Sequence, residues 1–291
     1  MLVILSDLRR AGGAEMTIAQ HVKYARKVLR LSPIWLTPAE VTPGLIDDGS
    51  LFILHSIRSF PPAFIGELVH KKPAIYFEHD FGFCRYRDHL CSLHCREECD
   101  NEFYEMLFSH VELSIFMSPT HCKMHLAKFE IPNAALCPAA CDLSPFRPGL
   151  ASPVHDVCFF GRVCVQKGTR NMRKWAESHP DRQLDCYGPI FPVDTQRLRL
   201  LPNVRLGGRV PHEEVPSLLR AYKAFLFLPE SFEAFGRVVP EALCTGLRLI
   251  ANDRIGALEW DDPVSAAEHG AEIFWDLVAE ACHEELMRCR A

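Results

Sequence analysis

The chain has 291 residues, 32 Lys and Arg against 37 Asp and Glu, and a formal net charge of −5, with 48% of its residues apolar. That length asks for one large or two medium domains, and the composition is that of an ordinary globular chain. The slightly acidic balance gives no general reason to expect nucleic-acid binding, no apolar run is long enough to span a membrane, and an odd count of 13 cysteines argues against a fully paired disulfide framework.

The opening "MLVILSDLRR" is too short in its apolar run for a signal peptide and reads as a buried strand that starts at once. This points to the cytoplasm, where the cysteines stay reduced. The basic stretches "LRR", "YARKVLR" and "HKKP" leave room for peripheral contact with a membrane surface. Further strands are expected at 33–36, 51–55, 74–77 and 113–117, with Ile18, Val22, Ala25 and Leu29 marking one face of a helix over 13–29. "CPAACDLSPFRPGLASPVHD", residues 137–156, carries four prolines and no period, and reads as a linker or crossing loop. A second round follows, with strands at 157–160, 183–186, 204–206, 224–228 and 248–251. Apolar strands with little alternation, separated by helices, imply an α/β protein whose parallel sheets are covered by helices on both faces. Two doubly wound lobes, 1–150 and 151–291, are expected. Residues 266–290 read as one or two helices without an interpretable motif.

Three stretches carry chemistry. Gly12 and Gly13 stand at the first strand–helix turn, where backbone N–H groups can face a ligand without side-chain obstruction. In "FFGRVCVQKGT", Gly161 ends the first strand of the second lobe, and Arg162 and Lys167 flank the turn into the next helix. Two cations at the carboxyl edge of a parallel sheet suit a diphosphate. In "FEAFGRVVPEALCTG", a helix start at Phe235, Gly236, Arg237 and Val238 offers N–H groups to a phosphate. Glu233 before it and Glu241 inside the helix each offer two acceptor oxygens to adjacent hydroxyls.

The order of these blocks, with "EHD" at 78–80, "LPNVRLGGRV" and "ESFEAFGRVVPEALCTGLRLIANDRIGALEW", resembles the family-4 type of retaining glycosyltransferases over almost the whole chain. That resemblance implies the GT-B architecture, two facing Rossmann-like domains with the acceptor side in the first and the nucleotide sugar in the second. It implies a hexosyl- or pentosyltransferase in which Arg162 and Lys167 bind the donor diphosphate, Glu233 the sugar and Glu241 the ribose. Gly161 and the backbone of Phe235–Val238 would hold phosphate, Arg209 and Val210 would lie by the base, His79 near the transferred sugar, and Gly12 and Gly13 in the loop approaching the donor. No metal or other cofactor is required for catalysis on this reading. The acceptor is open among glycan, lipid-linked sugar, protein and small molecule, with nucleic acid disfavoured by the acidity. A silent GT-B module that binds a sugar nucleotide or a partner, or another GT-B enzyme such as an epimerase, is the alternative.

"CRYRDHLCSLHCREEC" adds Cys84, Cys91, Cys95 and Cys99, the last three recurring every fourth residue. Thiolates so spaced can hold a structural zinc or an iron–sulfur cluster, although a paired Cys-x₂-Cys is absent; ordinary or oxidisable thiols are the competing reading.

Overall fold

The computed structural model describes residues 1–7, 12–87, 99–149 and 152–289. The chain divides into two compact units, Met1–Cys141 with Ala266–Ala291, and Asp142–Ser265.

In the first unit six parallel strands run in the order β2-β1-β3-β4-β5-β6. They are β1 (Leu2–Ser6), β2 (Ile34–Leu36), β3 (Leu51–His55), β4 (Ala74–Phe77), β5 (Leu113–Phe116) and β6 (Ala134–Leu136). Every residue of β1, β3 and β4 is buried, whereas the edge strands β2 and β6 are partly exposed. Unbroken apolar runs are what central strands covered on both faces require. Around them lie α1 (Gly13–Tyr24), α2 (Leu45–Asp48), α3 (Pro62–Lys71), α4 (Asn101–His110) and α5 (Pro119–Leu126). The helix expected over 13–29 changes to π-helical winding at Ala25–Leu29 and stops at Arg30, which adopts φ 60°. α5 is capped by Ser118, whose Oγ accepts the His121 N–H, with Pro119 in the first position.

In the second unit five parallel strands run in the order β11-β10-β7-β8-β9. They are β7 (His155–Phe160), β8 (Leu184–Tyr187), β9 (Val204–Gly208), β10 (Tyr222–Phe227) and β11 (Arg248–Ala251). The helices here are α6 (Thr169–Ser178), α7 (Pro192–Thr195), α8 (Val215–Leu219) and α9 (Val238–Cys244). From β7 the chain builds outward through β8 and β9, then returns to the other side of β7 to form β10. The strand order therefore reverses between β7 and β10, and a crevice forms at the carboxyl ends of such strands. In the first unit the same reversal falls between β1 and β3.

The α/β class and the parallel sheets agree with the sequence reading, and β6 is the strand it lacked. At three residues, partly exposed, β6 carries no apolar signal. The domain limits differ from 1–150 and 151–291. The boundary falls after Cys141, and the C-terminal helices α10 (Pro263–Ala281) and α11 (His283–Arg288) return to the first unit. Packing explains this. Phe274 stacks on His21 with ring centroids 3.9 Å apart, Trp275 Nε1 donates to His21 O at 2.9 Å, and Cys141 N donates to Ala267 O at 2.9 Å. Gly270 lies so close to the backbone of Pro138 and Ala140 that a Cβ would sit 2.9 Å from it. The expected linker is thus no open tether, since Cys137, Ala139, Ala140, Cys141, Leu143 and Phe146 are all buried. Among the described residues no helix is long and apolar enough to cross a membrane.

Candidate functional site

The second unit gathers its chemistry just beyond the carboxyl ends of β7 and β10. Gly161 leaves β7 with φ 144°, and its N–H donates to Tyr187 O at 3.0 Å. Val163 then pairs with Ile190, and Val165 N donates to the Asp194 carboxylate at 3.1 Å. These bonds shape the turn that carries Lys167. Gly168 follows at φ 99°, with its α-carbon so near Leu228 O that any Cβ would overlap that carbonyl. Only glycine meets both demands.

The loop after β10 closes on this turn. Glu230 N and Ser231 N donate to Gln166 O at 3.0 and 3.2 Å. The Glu230 carboxylate caps α6, accepting the Arg170 N–H at 3.2 Å, and pairs with the Arg170 guanidinium at 3.2 Å. Two of the first amides of α6, those of Thr169 and Arg170, are therefore taken up from within the chain. Glu233 is held from the other side, its N–H donating to Arg254 O at 2.9 Å and its C=O accepting the Gly256 N–H at 2.8 Å. Arg254 also reaches Glu230 O with its guanidinium. The result places Lys167 Nζ 2.5 Å from both carboxylate oxygens of Glu233, with the two side chains 21% and 14% exposed.

Beyond Glu233 the chain turns at Gly236, φ 83°, and α9 begins at Val238. Glu241 therefore lies in the first turn of α9. Val239 N is taken by Gly236 O, Glu241 N by Arg237 O, and Pro240 has no N–H. Among the described residues, the amides of Gly236 and Val238 have no backbone acceptor. Those expected donors at the helix start are thus fewer than a regular N-terminus would give. Glu241 is buried, with the Arg237 guanidinium 3.9 Å away. Burial lifts its carboxyl to about 7, against the opposing pull of Arg237.

Arg162 is exposed at the end of β7, and among the described residues no carboxylate pairs with it. Arg209, exposed, and Val210, partly buried, follow β9. Two residues on, His212 has its pKa lowered by burial and then by the charge of Arg237, which brings this loop towards the α9 start.

The remaining expected residues belong to the first unit. Gly12, extended, precedes α1, and Gly13 is its first residue; a Cβ on Gly12 would run into the Glu15 carboxylate. His79 follows β4, with its Nε2 2.9 Å from Nδ1 of buried His55. Its neighbours Glu78 and Asp80 are tied down closely. Glu78 accepts the Tyr76 O–H at 2.8 Å and the Asp80 N–H at 3.1 Å, and His121 Nε2 lies 2.5 Å from Asp80 O. Arg87 pairs with Asp80 at 3.2 Å and with Asp7 at 3.5 Å. Burial, then the Asp80 charge, pushes the Glu78 carboxyl well above the usual range.

Of the four candidate metal cysteines, Cys84 and Cys99 face each other in an isolated antiparallel bridge. Cys91 and Cys95 lie outside the described residues. Among the described residues no group of three or more His, Cys, Asp or Glu is set to hold a metal. Elsewhere burial raises the thiols of Cys137, Cys158 and Cys186, as expected of cysteines that simply pack.

Residues 191–260 match the model of the family described as "Glycosyl transferases group 1". The matched segment contains Arg209, Val210, Glu233, Gly236 and Glu241, and begins after Arg162 and Lys167. A search of characterised proteins by sequence gave no match. Among solved structures, Anabaena HepE in complex with UDP and glucose is similar at a TM-score of 0.65 and 14% identity, covering 99% of this chain and 93% of that one. HepE has also been solved with UDP-glucose. AviGT4, a glycosyltransferase involved in avilamycin A biosynthesis, is similar at a TM-score of 0.60 and 15% identity, covering 99% and 97%. At such identities the likeness is one of fold. Two sheets of parallel strands covered by helices are the GT-B glycosyltransferase fold of these neighbours.

Sequence reasoning missed the residues that set the site up. Glu230 caps α6, Asp194 holds the Lys167 turn and Arg254 ties the Glu233 loop. Glu230 stood three residues before Glu233 in a segment already singled out, but nothing in the sequence marked its partner. Asp194 carried no signal at all.

Proposed function

We propose that the protein is a retaining glycosyltransferase that moves a sugar from a nucleoside-diphosphate sugar to an acceptor hydroxyl. The observation that carries this is the Lys167–Glu233 pair beside the β7/β10 switch point, with Glu233 three residues before Gly236 and five before the start of α9 at Val238. A cation and a carboxylate held together here can part onto one ligand, the ammonium to phosphate and the carboxylate to sugar hydroxyls. Arg162 and the amides of Gly236 and Val238 add donors for the diphosphate. Glu241 serves the ribose, and Arg209 with Val210 flanks the base.

In transfer the bond between the anomeric carbon and the β-phosphate oxygen breaks, and a bond to the acceptor oxygen forms on the same face. The acceptor proton leaves with the diphosphate, whose negative charge Lys167 and Arg162 stabilise. Preorganised charge of this kind is typically the largest contribution to such a step. UDP-sugar is the donor class to test first, because HepE has been solved with UDP-glucose. The test is calorimetric titration with UDP, GDP, ADP and CMP, wild type beside Lys167→Ala. Micromolar binding of one nucleotide, lost in the variant, is the expected result. A folded wild type that binds none of them would sink the proposal.

A further inference from the structure

His55 ends β3 where the strand order of the first unit reverses, and its ring is fully buried. Its Nδ1 lies 2.9 Å from Nε2 of His79. Its own Nε2 is buried without a hydrogen-bond partner. The rings around it are Phe77, His21 and Phe274, with centroids 5.3, 5.6 and 6.0 Å away. Burial, and then the neighbouring His21, keeps His55 neutral, so it carries one proton.

That proton has two places to be. If it sat on Nε2, an N–H donor would be buried with no acceptor, and His79 would have to donate across the 2.9 Å contact. If it sits on Nδ1, the contact is His55 N–H to His79 nitrogen, and what remains buried is a bare lone pair. Orphaned buried N–H groups are rarer and costlier than under-used acceptors, so the second arrangement wins.

We propose that His55 is a positioning residue that donates its Nδ1–H to His79 Nε2 and thereby fixes His79 as the Nδ1–H tautomer, a hydrogen-bond donor towards the transferred sugar. A solvated histidine favours the opposite, Nε2–H form. With Nε2 engaged, His79 does not take up the acceptor proton through that nitrogen. The role towards the sugar rests on the glycosyl-transfer reading above; the tautomer does not.

Long-range ¹H–¹⁵N NMR of the full chain, with His79 assigned through His79→Gln, reads the tautomer directly. Wild type should show a protonated Nδ1 and a bare Nε2 on His79; the reverse pattern, or an imidazolium at neutral pH, overturns the proposal. His55→Asn, which sets an amide donor near the place of Nδ1, should keep the pattern. His55→Phe, which offers no donor to His79 Nε2, should release the fixed tautomer and lower kcat about tenfold, the worth of one hydrogen bond, with UDP affinity unchanged. Unchanged kcat in His55→Phe overturns the role in transfer. If that variant does not fold, the wild-type and His55→Asn spectra still decide. A wild type that neither binds a nucleotide nor transfers a sugar would remove the glycosyl-transfer reading, while the spectrum judges the tautomer by itself.

Discussion

Lys167 and Glu233, 66 positions apart in sequence, form an ion pair in which Nζ lies 2.5 Å from both carboxylate oxygens. Each is mostly shielded from solvent, and neither sits in a helix or strand. The pair ties together the two loops that leave β7 and β10.

Because the pair occupies both charges in the ligand-free protein, a diphosphate must draw Lys167 away from Glu233 in order to bind. Glu233→Gln should therefore bind UDP more tightly than wild type, while losing transfer by about 10²–10³, the usual scale for one preorganised charged contact. Lys167→Ala should lose both. Titration calorimetry and a UDP-release assay separate the two; weaker UDP binding by Glu233→Gln would refute the competition.

Gly168 should not tolerate a side chain. Its φ of 99° and the overlap of a Cβ with Leu228 O mean that Gly168→Ala must move backbone. The expected cost is about 1–3 kcal/mol of stability, with UDP binding reduced because Lys167 is its neighbour. Thermal melts and calorimetry on the same preparation check this, and full UDP affinity in the variant would contradict it.

A buried polar brace spans the sheet of the second unit. Asp185 accepts from Arg205 at 3.0 and 2.6 Å and from the Tyr222 hydroxyl at 2.6 Å, and the Tyr187 hydroxyl lies 2.7 Å from that of Tyr222. Asp185→Ala should cost about 2–3 kcal/mol in urea denaturation, since the hydrogen bonds of Arg205 and of the buried Tyr222 hydroxyl to a carboxylate are lost. Arg205 is 58% exposed, so Arg205→Ala should cost about 1 kcal/mol or less. Equal losses for the two would show that the brace does not work in this way.

The pH dependence of stability follows from the buried acids and histidines. Burial raises Glu241 from the usual 4.5 to about 7 and raises Glu78 as well. In that window the folded protein holds protons that the unfolded chain has released, so stability falls as pH rises. Burial lowers His55, His121 and His125, the last to about 4, all from 6.5. There the unfolded chain binds more protons, so stability rises with pH up to about 6.5. The melting temperature of ligand-free protein should thus peak near pH 6.5 and decline towards pH 8. Glu241→Gln should flatten that decline, by about 1 kcal/mol between pH 6.5 and 8. A wild-type melting temperature still climbing between pH 7 and 8 would be inconsistent with both carboxyls.

Much of this protein was legible in its sequence. Strands such as "LVILS", "LFILH" and "AIYF" are unbroken apolar runs because both faces of a parallel strand are covered, and that pattern survives without knowledge of any partner. Gly161, Lys167, Glu233 and Gly236 were visible because a turn or a charge at a strand's carboxyl end is a local feature. Tertiary structure alone decided the rest. α10 could not be assigned to the first unit from its own residues, since its partners His21, Pro138 and Ala140 lie more than a hundred positions away. Nor could the pairing of Lys167 with Glu233, the capping of α6 by Glu230, or the contact of His55 with His79 be read from spacing. Each depends on which loops the sheet order makes neighbours, and that order is set by the packing of the whole unit rather than by any segment within it.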